Sequence, residues 1–362
     1  FLTIADHLEA KIGKKTARIG ALFTYIMTTP APYIFSLGLL VHTLFGWPLW
    51  IAIVVGCIVN AAYIWSGGFQ AVVKTDMVQF VCMYIGFILL LVFSVATFGG
   101  VEFLQNNLPV THFSWKGTLP VSTIVVWGFL ALWTLVDPNF YQRCYAAKDA
   151  KTARNGVLWA ILCWFLFDML TLFTALYARA AFPDSNPLFS YLTLAQGILP
   201  VGILGIFCIA LFSIIMSTID SFLFSSSVLL EHHVFRPFTK NMSVTRLTQL
   251  GIVVTLAVSL LFIYIFQSVI GIIYAIGTIG VSSLLFPVLL CLFSKKKWSD
   301  THICWSMIAA SLVATPWLLY GWMHQEYGWP VYLWGIEPMY VGLFVSACFL
   351  GVAKMIQLKK SG

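Results

Sequence analysis

IIMSTIDSFLFSSS, residues 214–227, lies inside an apolar run that extends from 200 to 230. A run of this length suits a helix crossing a bilayer, which needs about 20 residues. Yet the stretch carries Ser217, Thr218, Asp220, Ser221, Ser225, Ser226 and Ser227. Polar groups within a membrane cost free energy unless they meet partners, water or a ligand. At 1.5 Å per residue, Ser217 falls roughly 26 Å along the helix, in the inner half of the membrane. Helical neighbours recur at i+3 and i+4, so Ile214, Ser217, Thr218, Ser221 and Ser225 share one face, with Asp220 flanking it. Hydroxyl, carboxylate and carbonyl oxygens in one place suit a hard cation, and a weakly held monovalent one such as sodium can also leave. Helix packing is the competing account, because small and hydroxylated residues are common at membrane helix interfaces. Packing is the preferred reading of Ser225–Ser227, whereas Asp220 favours function.

The rest of the chain has the same character. Of 362 residues, 60% are apolar and 9% charged, against roughly 25% charged in soluble domains. Ten apolar runs read as membrane helices: 17–43, 48–66, 75–98, 121–140, 156–182, 200–230, 244–267, 269–293, 302–323 and 338–358. The ten-residue alternation of a transmembrane barrel is missing, so the fold class is an all-α polytopic helix bundle, one transmembrane domain over 1–362. If the runs alternate from an inner N-terminal end, all but two of the 20 Lys and Arg residues fall inside, and only Lys116 and Arg179 outside. That bias fits the positive-inside rule and a multi-pass protein of the plasma (inner) membrane, both ends cytoplasmic. It also accounts for the +7 net charge without nucleic acid. The eight cysteines read as small hydrophobes.

Several other constellations are candidates for chemistry. In GGFQAVVKTDMVQ, 67–79, Gly67 and Gly68 permit a turn, and Asp76 with Gln79 has the spacing of a reciprocal helix N-cap. In WTLVDPNFYQRCYAAKDAKTAR, 133–154, Pro138 after Asp137 predicts a bent or ended helix, and broken helices are where transporters bind solutes. Trp127 and Trp133 lie in the same span. Asp168, mid-span, needs a partner or a proton. The eighth span, GIIYAIGTIGVSSLLFP, 271–287, reads as Gly/Pro-interrupted, which points to a lined cavity or to close packing. Tyr274 and Ser282 within it are candidate pocket or gate residues, with Trp127, Trp133 and Asp137. His232 and His233 beside Glu231 have no further ligand at zinc spacing, and no hydrolase or nucleotide-binding motif is present, so an enzyme is not expected.

GGFQAVVKTDMVQ, FYQRCYAAKDAKTAR and IIMSTIDSFLFSSS, in this order, resemble the sodium:solute symporter family, over residues 1 to about 300. The MSTIDS stretch resembles the proline-type branch most. The resemblance implies the five-plus-five inverted-repeat fold of the leucine transporter, with the first helix of each repeat unwound. It implies that 1–16 is a cytoplasmic loop, that 17–293 holds core helices three to ten, and that 294–362 adds two helices, the leading helices lying outside this fragment. One sodium site would use the Ile214 carbonyl with the Ser217 and Thr218 hydroxyls. A second would use Asp76, Ser217, Asp220 and Ser221, although some members have Ser where this chain has Asp220. Trp133 would sit at an inner-gate aromatic position and Asp137 just inside the substrate cavity. The implied activity is sodium-coupled import of a small organic solute, an amino acid such as proline or a carboxylate, by a monomer in the lipid bilayer, without a cofactor other than the coupling ion. The alternatives are a sugar-type symporter and a transporter-like sensor domain.

Overall fold

The computed structural model describes residues 3–239, 241–295, 298–326 and 329–361. Lys240, Lys296 and Lys297, which count toward the charge asymmetry, lie outside the described residues. Fourteen α-helices follow one another among the described residues: α1 Ile4–Lys11, α2 Lys14–Met27, α3 Ala31–Phe45, α4 Leu49–Phe98, α5 Val101–Asn107, α6 Val121–Ala131, α7 Pro138–Ala146, α8 Ala150–Ala181, α9 Ser190–Ile198, α10 Val201–Leu229, α11 Val244–Phe266, α12 Val269–Phe293, α13 Asp300–Met323 and α14 Pro338–Ser361. The only strands described are a two-residue antiparallel pair, Gln325–Glu326 with Trp329–Pro330. Nine helical stretches among the described residues are long and apolar enough to cross a membrane. On α8, Trp159 and Trp164 are each 67% exposed, as expected where the solvent is lipid.

The second and third predicted spans form a single helix, α4, of 50 residues, interrupted only at Gly68 with φ 53° and ψ −149°. Straight, it would measure about 75 Å, more than twice the ~30 Å hydrocarbon thickness. Two spans therefore meet at one glycine, with no loop between them. This corrects the N-cap reading of Asp76, which lies inside α4 with helix on both sides. The predicted cytoplasmic loop 1–16 is also largely helical. Thr3 and Asp6 make the reciprocal capping box of α1, and Ile4, Ala5 and Leu8 are buried.

Two predicted spans are broken within. The first divides into α2 and α3 at Thr28-Thr29-Pro30, both threonines buried. The fourth ends as α6 at Ala131, tightens into a 3₁₀ turn over Leu132–Leu135, and restarts as α7 at Pro138. Proline at the first helical position loses no hydrogen bond, which is why the break falls there. The eighth span shows the opposite outcome: α12 is continuous through Pro287. Its glycines accept neighbours instead. A Cβ on Gly280 would come 2.1 Å from Met27 Cγ, and one on Gly277 would come 2.5 Å from Leu130 Cδ2. Gln267, in the left-handed conformation, and Ser268, the N-cap of α12, separate the seventh and eighth spans.

The chain divides into two compact units, each discontinuous in sequence. One holds 1–35, 120–146 and 222–362, and the other 36–119 and 147–221. In the first, α12 packs against α2, α13 and α14. In the second, α4, α8 and α9 pack together around Phe87, whose ring meets Phe167, Tyr191 and Phe207 edge-on at 5.2–5.4 Å. Such pairs contribute about 0.5–1.5 kcal/mol each beyond burial.

Candidate functional site

The second unit contains the polar stripe of α10 as far as Ser221. The close approach of α4 to α10 is made at Gly86, where a Cβ would lie 2.2 Å from that of Ala210. From there the helices carry Asp76 and Ser217 together, and Ser217 Oγ donates to Asp76 Oδ1 at 2.7 Å. Asp220 is fully buried in the same unit. Its Oδ1 accepts from the Tyr63 hydroxyl. Tyr63 also lies 3.3 Å from Asn60 Oδ1, and Asn60 Nδ2 donates to the Gly56 carbonyl at 2.7 Å. Asp220 Oδ2 is buried without a hydrogen-bond partner.

The remaining predicted sodium ligands sit on the same helix. Thr218 Oγ1 donates to the Ile214 carbonyl at 3.1 Å, so two of the three oxygens of the first predicted site meet within one turn. Ser217, Thr218 and Ser221 are half-buried. The structure thus brings Asp76 to Ser217 and places Asp220 against the Asn60–Tyr63 pair. Two carboxylates and several hydroxyls in an apolar surrounding favour a bound cation, because charges interact far more strongly there than in water.

The predicted pocket and gate residues occupy the first unit. Asp137, itself buried, accepts at Oδ1 from both the backbone N and Nδ2 of Asn139, each at 2.8 Å, and so caps α7. Ser225 donates to Asn139 Oδ1 and lies 2.9 Å from Gln142 Oε1. Gln142 Nε2 is buried and unpartnered, and turning that amide over lets it donate to Ser225 instead. Ser226 donates to the carbonyl of Thr28 at 2.7 Å, at the break between α2 and α3, and Ser227 bonds the Leu223 carbonyl within α10. These serines fasten helices, in keeping with the packing reading. Trp133 stands over Gly277, its Nε1 buried without a partner. Tyr274 donates to Glu337, stacks on Tyr332 at 6.3 Å between centroids, and meets Trp127 at 6.4 Å. Ser282 bonds the Ile279 carbonyl and packs against Gly342. Asp168 lies exposed on α8 and forms no ion pair among the described residues.

Sequence reasoning missed Tyr63 and Asn60. Their signal was present, two polar residues three apart in an otherwise apolar span, but their partner lies 157 residues away in Asp220.

Broken membrane helices with buried carboxylates define a polytopic membrane protein of the solute-carrier type. Comparison with known proteins names the class: the sodium:solute symporter family model matches residues 1–309, and the chain belongs to that family. Its members are transporters, not enzymes. Among similar proteins, the sodium/pantothenate symporter of Haemophilus influenzae is 33% identical over 173 residues, covering 46% of this chain and 36% of that protein. The mouse sodium/glucose cotransporter 4 is 25% identical over 318 residues, 74% of this chain and 46% of the relative. The mouse sodium/myo-inositol cotransporter 2 is 26% identical over 316 residues, 74% and 47%. The chain therefore spans about half the length, or less, of these curated relatives. A solved Na+-coupled sialic acid symporter, substrate-bound and outward-open, superposes with a TM-score of 0.74 at 18% identity, covering 98% of this chain and 76% of that one. The fold is the leucine-transporter type expected.

Proposed function

We propose that the protein carrying this chain is a sodium-coupled secondary active symporter that imports a small organic solute by alternating access. The observation that carries the reading is the 2.7 Å hydrogen bond from Ser217 to Asp76, a hydroxyl and a carboxylate paired inside apolar helices. Sodium can sit between such oxygens once the hydroxyl turns its O–H away and presents a lone pair. The ion is cargo. One set of ligands is the Ile214 carbonyl with Ser217 and Thr218, and a second is Asp76, Ser217, Asp220 and Ser221. An inward potential contributes about 2.3 kcal/mol per charge per 100 mV, and the sodium gradient adds to it. Trp127, Trp133, Asp137, Tyr274 and Ser282 are assigned to the solute pocket and its gate. The protein acts in the plasma (inner) membrane with both ends of this chain cytoplasmic, an orientation that the charge bias supports.

The solute is a carboxylate or amino acid, a reading supported by the pantothenate relative having the higher identity of those compared. A polyol is the second reading, favoured by the longer alignments to glucose and myo-inositol carriers. The test is uptake by liposomes containing the full-length protein, with an inward sodium gradient or potassium in its place, across a panel of amino acids, organic acids and polyols. Accumulation driven by sodium names the solute class. Transport indifferent to sodium with every solute removes the symporter reading.

A further inference from the structure

Glu231-His232-His233 stands alone in the sequence. In the structure α10 does not stop at Leu229; Leu230–Phe235 add one π-helical turn, closed by Arg236 N bonding the Glu231 carbonyl at 2.9 Å. An i→i+5 turn is wider than an α turn, and such turns gather at functional sites. Successive side chains fan out less around it. The rings of His232 and His233 accordingly lie 4.8 Å apart at 83° to each other, and α1 brings a carboxylate to both. His232 Nε2 is 3.1 Å and His233 Nε2 3.7 Å from Asp6 Oδ1. The backbone N of Thr3 binds the other oxygen, Oδ2, at 3.0 Å, and Thr3 Oγ1 stands 2.9 Å from His233 Nε2.

These distances have the scale of a coordination sphere. Ligands about 2.0–2.1 Å from a tetrahedral zinc are about 3.3–3.4 Å from one another, and the two nitrogen–oxygen distances bracket that value. The potential ligand atoms of all three residues lie within 4.8 Å. Pairing with Asp6 and Thr3 accounts for the two Nε2 atoms. It leaves His232 Nδ1 buried without a hydrogen-bond partner, and Glu231 Oε1 with only a 3.8 Å ion pair to Arg236 Nη1. Glu231 is only 3% exposed and adjoins His232 in the chain. A metal on Nε2 places the ring proton on Nδ1, where a carboxylate can receive it, the usual support of a metal-bound histidine.

We propose that Asp6, His232 and His233 form a binding site for a divalent first-row metal ion, zinc by its ligand chemistry, which fastens α1 to the π turn at the end of α10. Water fills the fourth position. The inference is independent of the transported solute.

The experiment is a Co2+ titration of the purified full-length protein in detergent after EDTA treatment, read by visible absorption, followed by displacement with Zn2+. The expected result is tetrahedral-type absorption that saturates at one equivalent, is removed by Zn2+, disappears in His232→Asn and His233→Asn, and needs at least tenfold more Co2+ in Asp6→Asn. Absorption typical only of aqueous Co2+, or a tetrahedral band that survives all three substitutions, overturns the proposal. Should a substituted protein fail to fold, X-ray absorption of the zinc-loaded wild type decides. Two imidazoles with oxygen neighbours support the site, and sulfur ligation or the lack of imidazole refutes it.

Discussion

Ser217 Oγ donates to Asp76 Oδ1 at 2.7 Å, joining α10 to α4 across 141 residues of sequence. Both are polar residues in apolar helices, so the pair is where the symporter reading is most exposed to test. Ser217→Ala and Asp76→Asn should each raise the sodium concentration for half-maximal uptake at least tenfold, equivalent to about 1.4 kcal/mol. The double variant should fall short of the product of the two effects, because both groups act on one ion. Uptake measured against sodium concentration decides this, and an unchanged half-saturation in both single variants would remove the pair from the ion's path.

Tyr63 donates to Oδ1 of buried Asp220, whose second oxygen has no hydrogen-bond partner among the described residues. Tyr63→Phe leaves Asp220 buried and short of its donor, at a cost of about 1–3 kcal/mol. Asp220→Asn in the same background should recover part of the loss, since an amide is cheaper to bury than a charge. Thermal unfolding in detergent checks both. Equal stability of Tyr63→Phe and wild type would mean that Asp220 finds another partner.

How much of this was legible in the sequence differs by element. The membrane class and most span positions follow from apolar length alone, and the polar stripe of α10 is visible as a violation of that pattern. The break at Pro138 follows from proline geometry. The continuity of α4 was not legible, because two glycines followed by Asp76 have the local pattern of a turn and cap, whereas the helix reforms immediately after Gly68. The break in the first span at Thr28–Pro30 was hidden within one apolar run. Tyr63–Asp220, Asn139–Ser225 and Asp6–His232 are long-range pairings, and no local periodicity encodes a partner 86 to 226 residues away.

Gly68 and Gly280 separate two ways a glycine can be required. At Gly68 a Cβ meets nothing within 4 Å, but φ is +53°, so Gly68→Ala should cost about 1–3 kcal/mol through backbone strain alone. At Gly280 the backbone is helical, and the added methyl strikes Met27. Gly280→Ala should cost about 1–3 kcal/mol through overpacking and be partly rescued by Met27→Ala. No second substitution near Gly68 should rescue it. Unfolding temperatures of the three single and double variants test the distinction, which fails if Met27→Ala leaves Gly280→Ala unimproved.

Asp137 caps α7 at the point where the fourth span restarts, and its Oδ1 takes both the backbone and side-chain donors of buried Asn139. Asp137→Ala therefore strands two donors that water does not reach, at about 1–3 kcal/mol. Asp137→Asn keeps an acceptor oxygen in place and should cost less than about 1 kcal/mol, since Asn caps helices about as well as Asp. The comparison separates the shape of the turn from the charge of the residue. If Asn is as destabilising as Ala in a melting experiment, the carboxylate charge matters more than the cap. If Asn restores stability while sodium-driven uptake stays low, the charge serves the solute or the ion, as its place at the break in the fourth span predicts.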